Sequence, residues 1–327
     1  MKNSMGATCE IVCRGLEEAG HEVRFCCINP TNDFDGNISL QSSVRTGVAR
    51  LDALQLYRKV IRGFKGVPKG NAAIVNVSQE YIIPAQLDRS VVIIHDAIQS
   101  TNPRSWRMKL LMQSSWFMCR RAKVNVSISR TTQKALLAYG VKSEMVYLNS
   151  FDTHLFESVR RMELQRKWDG VWCGTLARHK RIDLFLRLAA THPGQKFAVI
   201  VPDCEATAVR LDAPDNVDVL SGLDATKYAE VFAQSKVFVS TSEVEGFGRP
   251  AMEALLAGTA VLLSDIPIYR EVYSDCARFF RIEQQSLNEQ FQRLVCADLG
   301  KSESRFDARH RHGRVEDFVQ ILEDSFA

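Results

Sequence analysis

The feature that most constrains this chain is an alternation. Short apolar runs rich in β-branched residues recur at 72–77, 91–95, 124–128, 170–173, 197–201, 217–220, 237–240 and 260–264, and amphipathic stretches such as 182–190 and 225–235 lie between them. A continuous apolar run suits a strand covered on both faces. Strands of that kind alternating with helices predict parallel sheets with helices on both sides, an α/β fold. The chain is 327 residues long, room for two such units. The β-like register breaks at 149–156, a charged linker is expected at 157–167, and a new strand–helix series opens near Trp168. The expected division is therefore 1–152, 153–312 and a closing helical segment, 313–327, that crosses back toward the first unit.

Residues 9–18 read as a helix stopped by Gly20, and 21–28 as a strand. In a Rossmann-like unit that helix should follow a central strand. Residues 1–5 are too few for strand and turn, so either the first strand is missing or the start of the sequence is set late; the late start is the expectation, because omitting a central strand exposes both neighbours' edges.

Composition excludes several classes. Hydrophobic residues make up 46% and charged residues 24%, an ordinary globular balance, which rules out a disordered chain, a fibre or a disulfide-stapled miniprotein. The net charge of +4 is too small to argue for nucleic acid. It is unevenly spread: 20 of the 42 Lys+Arg but 12 of the 38 Asp+Glu fall in residues 1–152. Between residues 97 and 143 there are nine basic residues and no acidic one. That stretch is either a solvated face or a surface for anionic lipid or an anionic acceptor. Trp106, Leu110, Trp116 and Phe117 interleave there with Arg104, Arg107, Lys109, Arg120 and Arg121, and are either core or the apolar side of a basic docking helix. The nine cysteines are scattered without zinc-site spacing and read as free thiols in a reducing compartment. No apolar run approaches the roughly 20 residues of a membrane span, and no leader pattern opens the sequence. The expected location is the cytoplasm, peripheral to the inner face of a membrane.

Three constellations carry candidate chemistry. Glu245-Gly-Phe-Gly-Arg-Pro-Ala-Met-Glu253 follows one strand and opens a helix, with Pro250 in the first turn. Glycines and helix-end amides there can approach an anion or sugar hydroxyls, with Glu245 before the helix and Glu253 a turn inside it. A tight turn with a capping glutamate is the competing reading. Cys173-Gly-Thr-Leu-Ala-Arg-His-Lys-Arg181 is a strand-end loop with four basic or potentially basic groups, either a diphosphate clamp or a solvated turn. His95-Asp96 ends a buried strand, where open α/β sheets bind ligands, or is a satisfied strand-end histidine. P-loop, G-x-G-x-x-G and G-x-S-x-G patterns are absent from the sequence.

Taken in order, these pieces resemble retaining glycosyltransferase family 4, with its two-domain GT-B fold. Gly6 with the helix and His21-Glu-Val23 is similar to the family's glycine loop and G-H-x-V. His95-Asp96 resembles its H-D, Ser129-Arg-Thr-Thr132 its S-x-x-T, and Asn149-Ser-Phe-Asp152 with Phe156 its N-G-x-D-x-x-x-F. Gly174-Thr-Leu with Lys180-Arg181 resembles the phosphate loop, and Glu245 with Glu253 the E-x7-E signature. Ser264-Asp-Ile-Pro267, Glu271-Val272 and residues 275–280 resemble the segment after it.

The resemblance implies two Rossmann-like units facing across a cleft. The acceptor would lie on the first, near Gly6, His95 and Asp96, and a UDP- or GDP-sugar on the second. Glu253 would bind ribose hydroxyls, and Glu245 the donor sugar, helped by amides around Gly246, Phe247 and Gly248. Lys180 would neutralise the diphosphate beside Gly174 and Thr175, with Arg178 or His179 assisting. His95, Glu245 and Lys180 would form the catalytic set, with no cofactor and no metal. The expected function is hexose transfer with retention to a glycan or glycolipid acceptor. A catalytically silent nucleotide-sugar-binding protein on the same fold is the alternative; a sugar phosphorylase or epimerase is a third.

Overall fold

In the computed structural model of the protein, the described residues are 4–23, 26–27, 38–39, 73–79, 82, 84–98, 106–148, 151–297 and 315–326. Arg104, Asn149, Ser150 and residues 24, 25 and 28 of the expected strand at 21–28 lie outside them; of the rest of that strand, residues 21–23 form no strand and β1 (Cys26–Cys27) pairs in parallel with β2 (Ile38–Ser39).

The chain opens with α1 (Ser4–Glu18), which buries Val12 and Leu16. The helix begins earlier than its apolar pattern announces. Gly6, expected in a loop ahead of the helix, therefore sits in its first turn, where backbone amides lack intrahelical partners anyway and a glycine disturbs little. A four-stranded parallel sheet follows in the order β3 (Ile74–Asn76), β4 (Ser90–Ile94), β5 (Val124–Ser127), β6 (Glu144–Met145). In β4, Val91 and Ile93 face the α1 side, and Val92 and Ile94 face α2 (Trp106–Cys119). All four are fully buried, as the uninterrupted apolar run predicts for a strand covered on both faces. Trp116 turns inward from α2 and stacks on Tyr139 at 5.2 Å, so it is core and no part of an exposed basic face. α3 (Arg130–Leu137) is capped by the Ser129 hydroxyl, which accepts the Thr132 amide.

α4 (Thr153–Arg161) occupies ground expected to be a charged linker from residue 157. Its charges lie on one side only. Phe156 and Val159, one turn apart, are buried, and Phe156 packs edge-on against Tyr228 at 6.4 Å. Arg166 then fastens the chain to the second sheet by donating to the carbonyls of Ala233, Ser235 and Gly258.

That second sheet is six-stranded and parallel, built from β7 (Trp168–Cys173), β8 (Phe197–Ile200), β9 (Val217–Leu220), β10 (Ser235–Ser240), β11 (Ala260–Ser264) and β12 (Arg278–Phe280). Its order, β12-β11-β10-β7-β8-β9, is the doubly wound order, and the winding reverses between β7 and β10. α5 (Ile182–Ala190) covers one face, and α7 (Ala225–Ala233) and α8 (Arg249–Leu256) the other. α6 (Asp203–Asp212) follows β8, and α9 (Pro267–Tyr273) follows β11. α10 (Gln284–Cys296) joins α5 through Leu287, Phe291 and Leu294. The last helix, α11 (Val315–Phe326), lies against α1. A Cβ on Gly15 would fall 2.4 Å from Val315, and His21 pairs with Glu323 at 3.0 Å.

Every cysteine whose side chain is described carries a free thiol. Among the described residues no helix is long and apolar enough to cross a membrane.

Candidate active site

The strand ends at the winding reversal organise the site. β7 runs out at Cys173 into the basic loop, and β10 runs out at Ser240 into the glycine turn. In such sheets the loops on either side of that point diverge and leave a crevice at the carboxyl edge. The loop after β7 is pinned from three directions. The Gly174 amide donates to the Ile200 carbonyl at 3.1 Å, the Leu176 amide to Glu205 at 2.9 Å, and Thr241 to the Lys180 carbonyl at 2.7 Å. Thr241 is itself held by the Trp172 indole at 3.1 Å.

So positioned, Lys180 donates to Glu245 Oε1 at 2.5 Å, joining two of the sequence candidates across 65 residues. Ser242 donates to the same oxygen at 2.8 Å, and Tyr269 reaches it at 3.4 Å. Oε2 of Glu245 makes no bond to any described residue, so the carboxylate is anchored by one oxygen and offers the other. Glu253, buried in α8, accepts from Tyr228 at 2.7 Å and meets Arg249 at 3.5 Å. The Tyr228 hydroxyl also contacts the Cys173 thiol at 3.5 Å, and burial pushes that thiol up to about 12. The two glutamates thus occupy separate environments, one in the lysine pair and one behind it.

The glycines between them are fixed by close approach. Gly248 has φ +82°, and a Cβ there would lie 2.3 Å from Tyr269. A Cβ on Gly246 would lie 2.6 Å from the His95 carbonyl, so the glycine turn of the second sheet abuts the strand end of the first. Phe247, whose amide is expected beside the donor, has its ring buried against Phe151 and Tyr273. Only its backbone can face the crevice. Thr175 and Arg178 are exposed, and Arg178 makes no ion pair with any described residue.

His95 and Asp96 complete the arrangement from the other side. Burial first, and repulsion from Glu245 after it, raise the Asp96 carboxyl above its ordinary range, opposed by its bond from the Ile98 amide and by the cations His179 and Lys180. Both ring nitrogens of His95 are buried without a hydrogen-bonded partner. Burial lowers its pKa from 6.5 to about 4; the Val77 backbone opposes this, and the Arg249 charge adds to it. The imidazole is therefore neutral in the fold at pH values where the unfolded chain would hold a proton. Between about pH 6.5 and 4 the unfolded state binds more protons, so the stability contributed by neutral His95 is full above that window and is lost as pH falls through it. The melting temperature of His95→Gln should fall less than that of the parent across this window; parallel curves would contradict the burial of a neutral ring.

Arg249 is the residue that sequence reasoning passed over. It reads as filler inside E-G-F-G-R-P, yet its guanidinium lies 5.1 Å from the Phe151 ring centroid, faces Glu253, and keeps Nη1 buried and unpartnered. Tyr228 and Tyr269, which hold the glutamates, belong to no motif of the sequence and lie 25 and 24 residues from the glutamates they bond. Beside the phosphate-loop candidates, Leu176, Arg178, Arg181 and Glu243 line an open hollow of about 510 Å³. Arg181 there is committed to Asp183 at 2.9 Å and Glu243 at 2.7 Å. Among the described residues, no group of three or more His, Cys, Asp or Glu is arranged to hold a metal ion.

Residues 165–309, which span β7 to β12, match the family described as glycosyl transferases group 1. Over 219 residues the chain is 24% identical to the O-antigen chain mannosyltransferase RfbU of Salmonella typhimurium, covering 64% of this chain and 61% of RfbU, so the match spans less than two thirds of that relative. Over 58 residues, 18% of this chain and 7% of the relative, it is 36% identical to the serotype-specific mannosyltransferase WbdA of Escherichia coli. Among solved structures, sucrose-phosphate synthase from Thermosynechococcus elongatus superposes with a TM-score of 0.74 at 16% identity, covering 99% of this chain and 94% of that one. WaaG, a glycosyltransferase involved in lipopolysaccharide biosynthesis, gives 0.70 at 15% identity over 97% and 95%. HepE of Anabaena in complex with UDP-glucose gives 0.63 at 18% identity over 84% and 83%. The fold is GT-B, as the resemblance implied, and the family match with the mannosyltransferase relatives supports a glycosyltransferase.

Proposed function

We propose that this protein is a retaining, metal-independent glycosyltransferase that moves a hexose from a UDP- or GDP-sugar to a glycan or glycolipid acceptor. The observation that carries this reading is the Lys180–Glu245 pair at the winding reversal, abutting His95-Asp96 through Gly246. In the reaction the bond from the anomeric carbon to the diphosphate oxygen breaks, and a bond to the acceptor oxygen forms on the same face. The acceptor proton leaves with the departing diphosphate. The charge that develops on that leaving group is met by Lys180, which exchanges Glu245 for phosphate, and by the amides of the glycine turn. Glu245 acts through its open oxygen on sugar hydroxyls and supports positive charge at the anomeric carbon; it is no covalent nucleophile. Glu253 takes the ribose hydroxyls. His95, being neutral, serves as a hydrogen-bonding group toward sugar or acceptor.

On this reading residues 153–312 form the donor unit and 1–152 the acceptor unit, working in the cytoplasm. Relatives named as mannosyltransferases and a structural neighbour that holds UDP-glucose make mannose and glucose the first sugars to try. The experiment is a thermal-shift screen of UDP, GDP, ADP and their sugars, followed by turnover with and without a chelator. A nucleotide that binds only the native state raises the melting temperature. Stabilisation by no nucleotide would end the proposal, binding without turnover would favour the silent binding protein, and loss of turnover on chelation would remove the metal-independent part.

The acceptor side extends to a surface. On α2, Leu110, Leu111 and Phe117 are exposed, at 55%, 44% and 49%, beside Lys109, Arg120 and Arg121. The Arg121 guanidinium sits 3.6 Å from the Phe117 ring centroid. This face fits an anionic bilayer, with apolar side chains entering the headgroup layer and cations above it. Arg121→Ser should weaken co-sedimentation with phosphatidylglycerol vesicles about fivefold, at about 1 kcal/mol for one basic group; pelleting that ignores lipid charge would refute the docking.

A further inference from the structure

We infer that Glu271 is a positioning residue: it sets how the His95 strand end meets the Glu245 turn. The inference rests on the transferase reading and adds to it a carboxylate outside the crevice. Glu271 belongs to α9, on the six-stranded side, yet the four hydrogen bonds it accepts from described residues all come from the four-stranded side. Its Oε1 accepts from the Arg130 amide at 2.8 Å and the Tyr147 hydroxyl at 3.0 Å; its Oε2 accepts from the Thr131 amide at 2.7 Å and the Thr131 hydroxyl at 2.6 Å.

The two amides belong to the first turn of α3, where backbone donors have no partner within the helix and a negative charge meets the positive end of the helix dipole. Ser129 already serves the Thr132 amide, so the helix's own cap and the borrowed carboxylate divide the first turn between them. The consequences run both ways from this junction. On α3, Thr132 reaches the His95 carbonyl at 3.4 Å, the same carbonyl that Gly246 abuts. On α9, Tyr269 and Tyr273 lie two residues either side of Glu271, which turns them to the opposite face of the helix. There Tyr269 reaches Glu245 and Tyr273 donates to the Gly248 carbonyl at 2.9 Å. One short helix therefore holds the donor turn with one face and the acceptor strand's neighbour with the other.

The test is Glu271→Gln, whose NH2 must confront a backbone amide donor, Arg130 or Thr131, whichever way it turns. Transfer should lose about 100-fold in kcat, the scale of a displacement near 1 Å between reacting groups. Nucleotide affinity by calorimetry should be unchanged, because Lys180 and Glu253 stay together on the other sheet. Small-angle scattering should show a larger radius of gyration. Tyr147→Phe, which removes one donor only, should move kcat the same way by less, and it serves if the glutamine variant fails to fold. Parent-like kcat and radius of gyration in both variants would overturn the inference, as would a loss of nucleotide affinity equal to the loss of rate. If the parent transfers no sugar, the transferase reading fails alone and scattering decides: an unchanged radius in Glu271→Gln overturns the junction.

Discussion

Lys180→Ala is expected to lower kcat for sugar transfer by about 100- to 1000-fold, the cost of removing one preorganised charge from a developing anion. The effect belongs in kcat because the leaving diphosphate carries more charge at the transition state than when esterified to the sugar. The fold should survive. Lys180 is held by its carbonyl through Thr241, a contact that alanine keeps, and Glu245 keeps the Ser242 hydroxyl. Arginine at this position should rescue little, since its planar fork cannot reproduce a single donor 2.5 Å from Glu245. Steady-state kinetics with the donor found in the nucleotide screen decides the point; near-parental kcat in the alanine variant would remove Lys180 from the reaction.

Glu253→Gln should act differently. A hydrogen bond to a charged group contributes about 1.5–3 kcal/mol, so losing the charge should weaken nucleotide binding about 10- to 100-fold. The glutamine oxygen can still accept from Tyr228, so melting should change less than in the alanine variant, the remaining cost being the loss of the Arg249 carboxylate partner. Glu253→Ala adds a second cost. It strands the buried Tyr228 hydroxyl and leaves Arg249 without its carboxylate, a loss of about 1–3 kcal/mol of stability. Calorimetry and thermal melts on the pair separate the two effects. Parental affinity in Glu253→Gln would make Glu253 a core acid and nothing more.

Much of the fold was legible because parallel strands buried on both faces leave unbroken apolar runs, as in Val91 to Ile94. The parts that were misread have local causes. Residues 157–161 look like linker because charged side chains outnumber apolar ones there, yet Phe156 and Val159 suffice to seat a helix on Tyr228. Gly6 looks like a loop because glycine usually marks one. The members of the candidate site were legible as residues but not as contacts. Lys180 and Glu245 are 65 residues apart, and nothing in their spacing gives a pair. Phe247 divides its roles: its ring serves the core, which leaves the backbone amide as the group expected at the donor. Glu271 was visible only as part of a resemblance, because its partners lie 124 to 141 residues away on another sheet.

The packing of α11 on α1 has a consequence during synthesis. These two helices, at residues 4–18 and 315–326, stand at opposite ends of the described chain and pack on each other, with Phe318, Val319 and Leu322 buried. The Gly15 face of α1 therefore stays uncovered until the last helix has been synthesised.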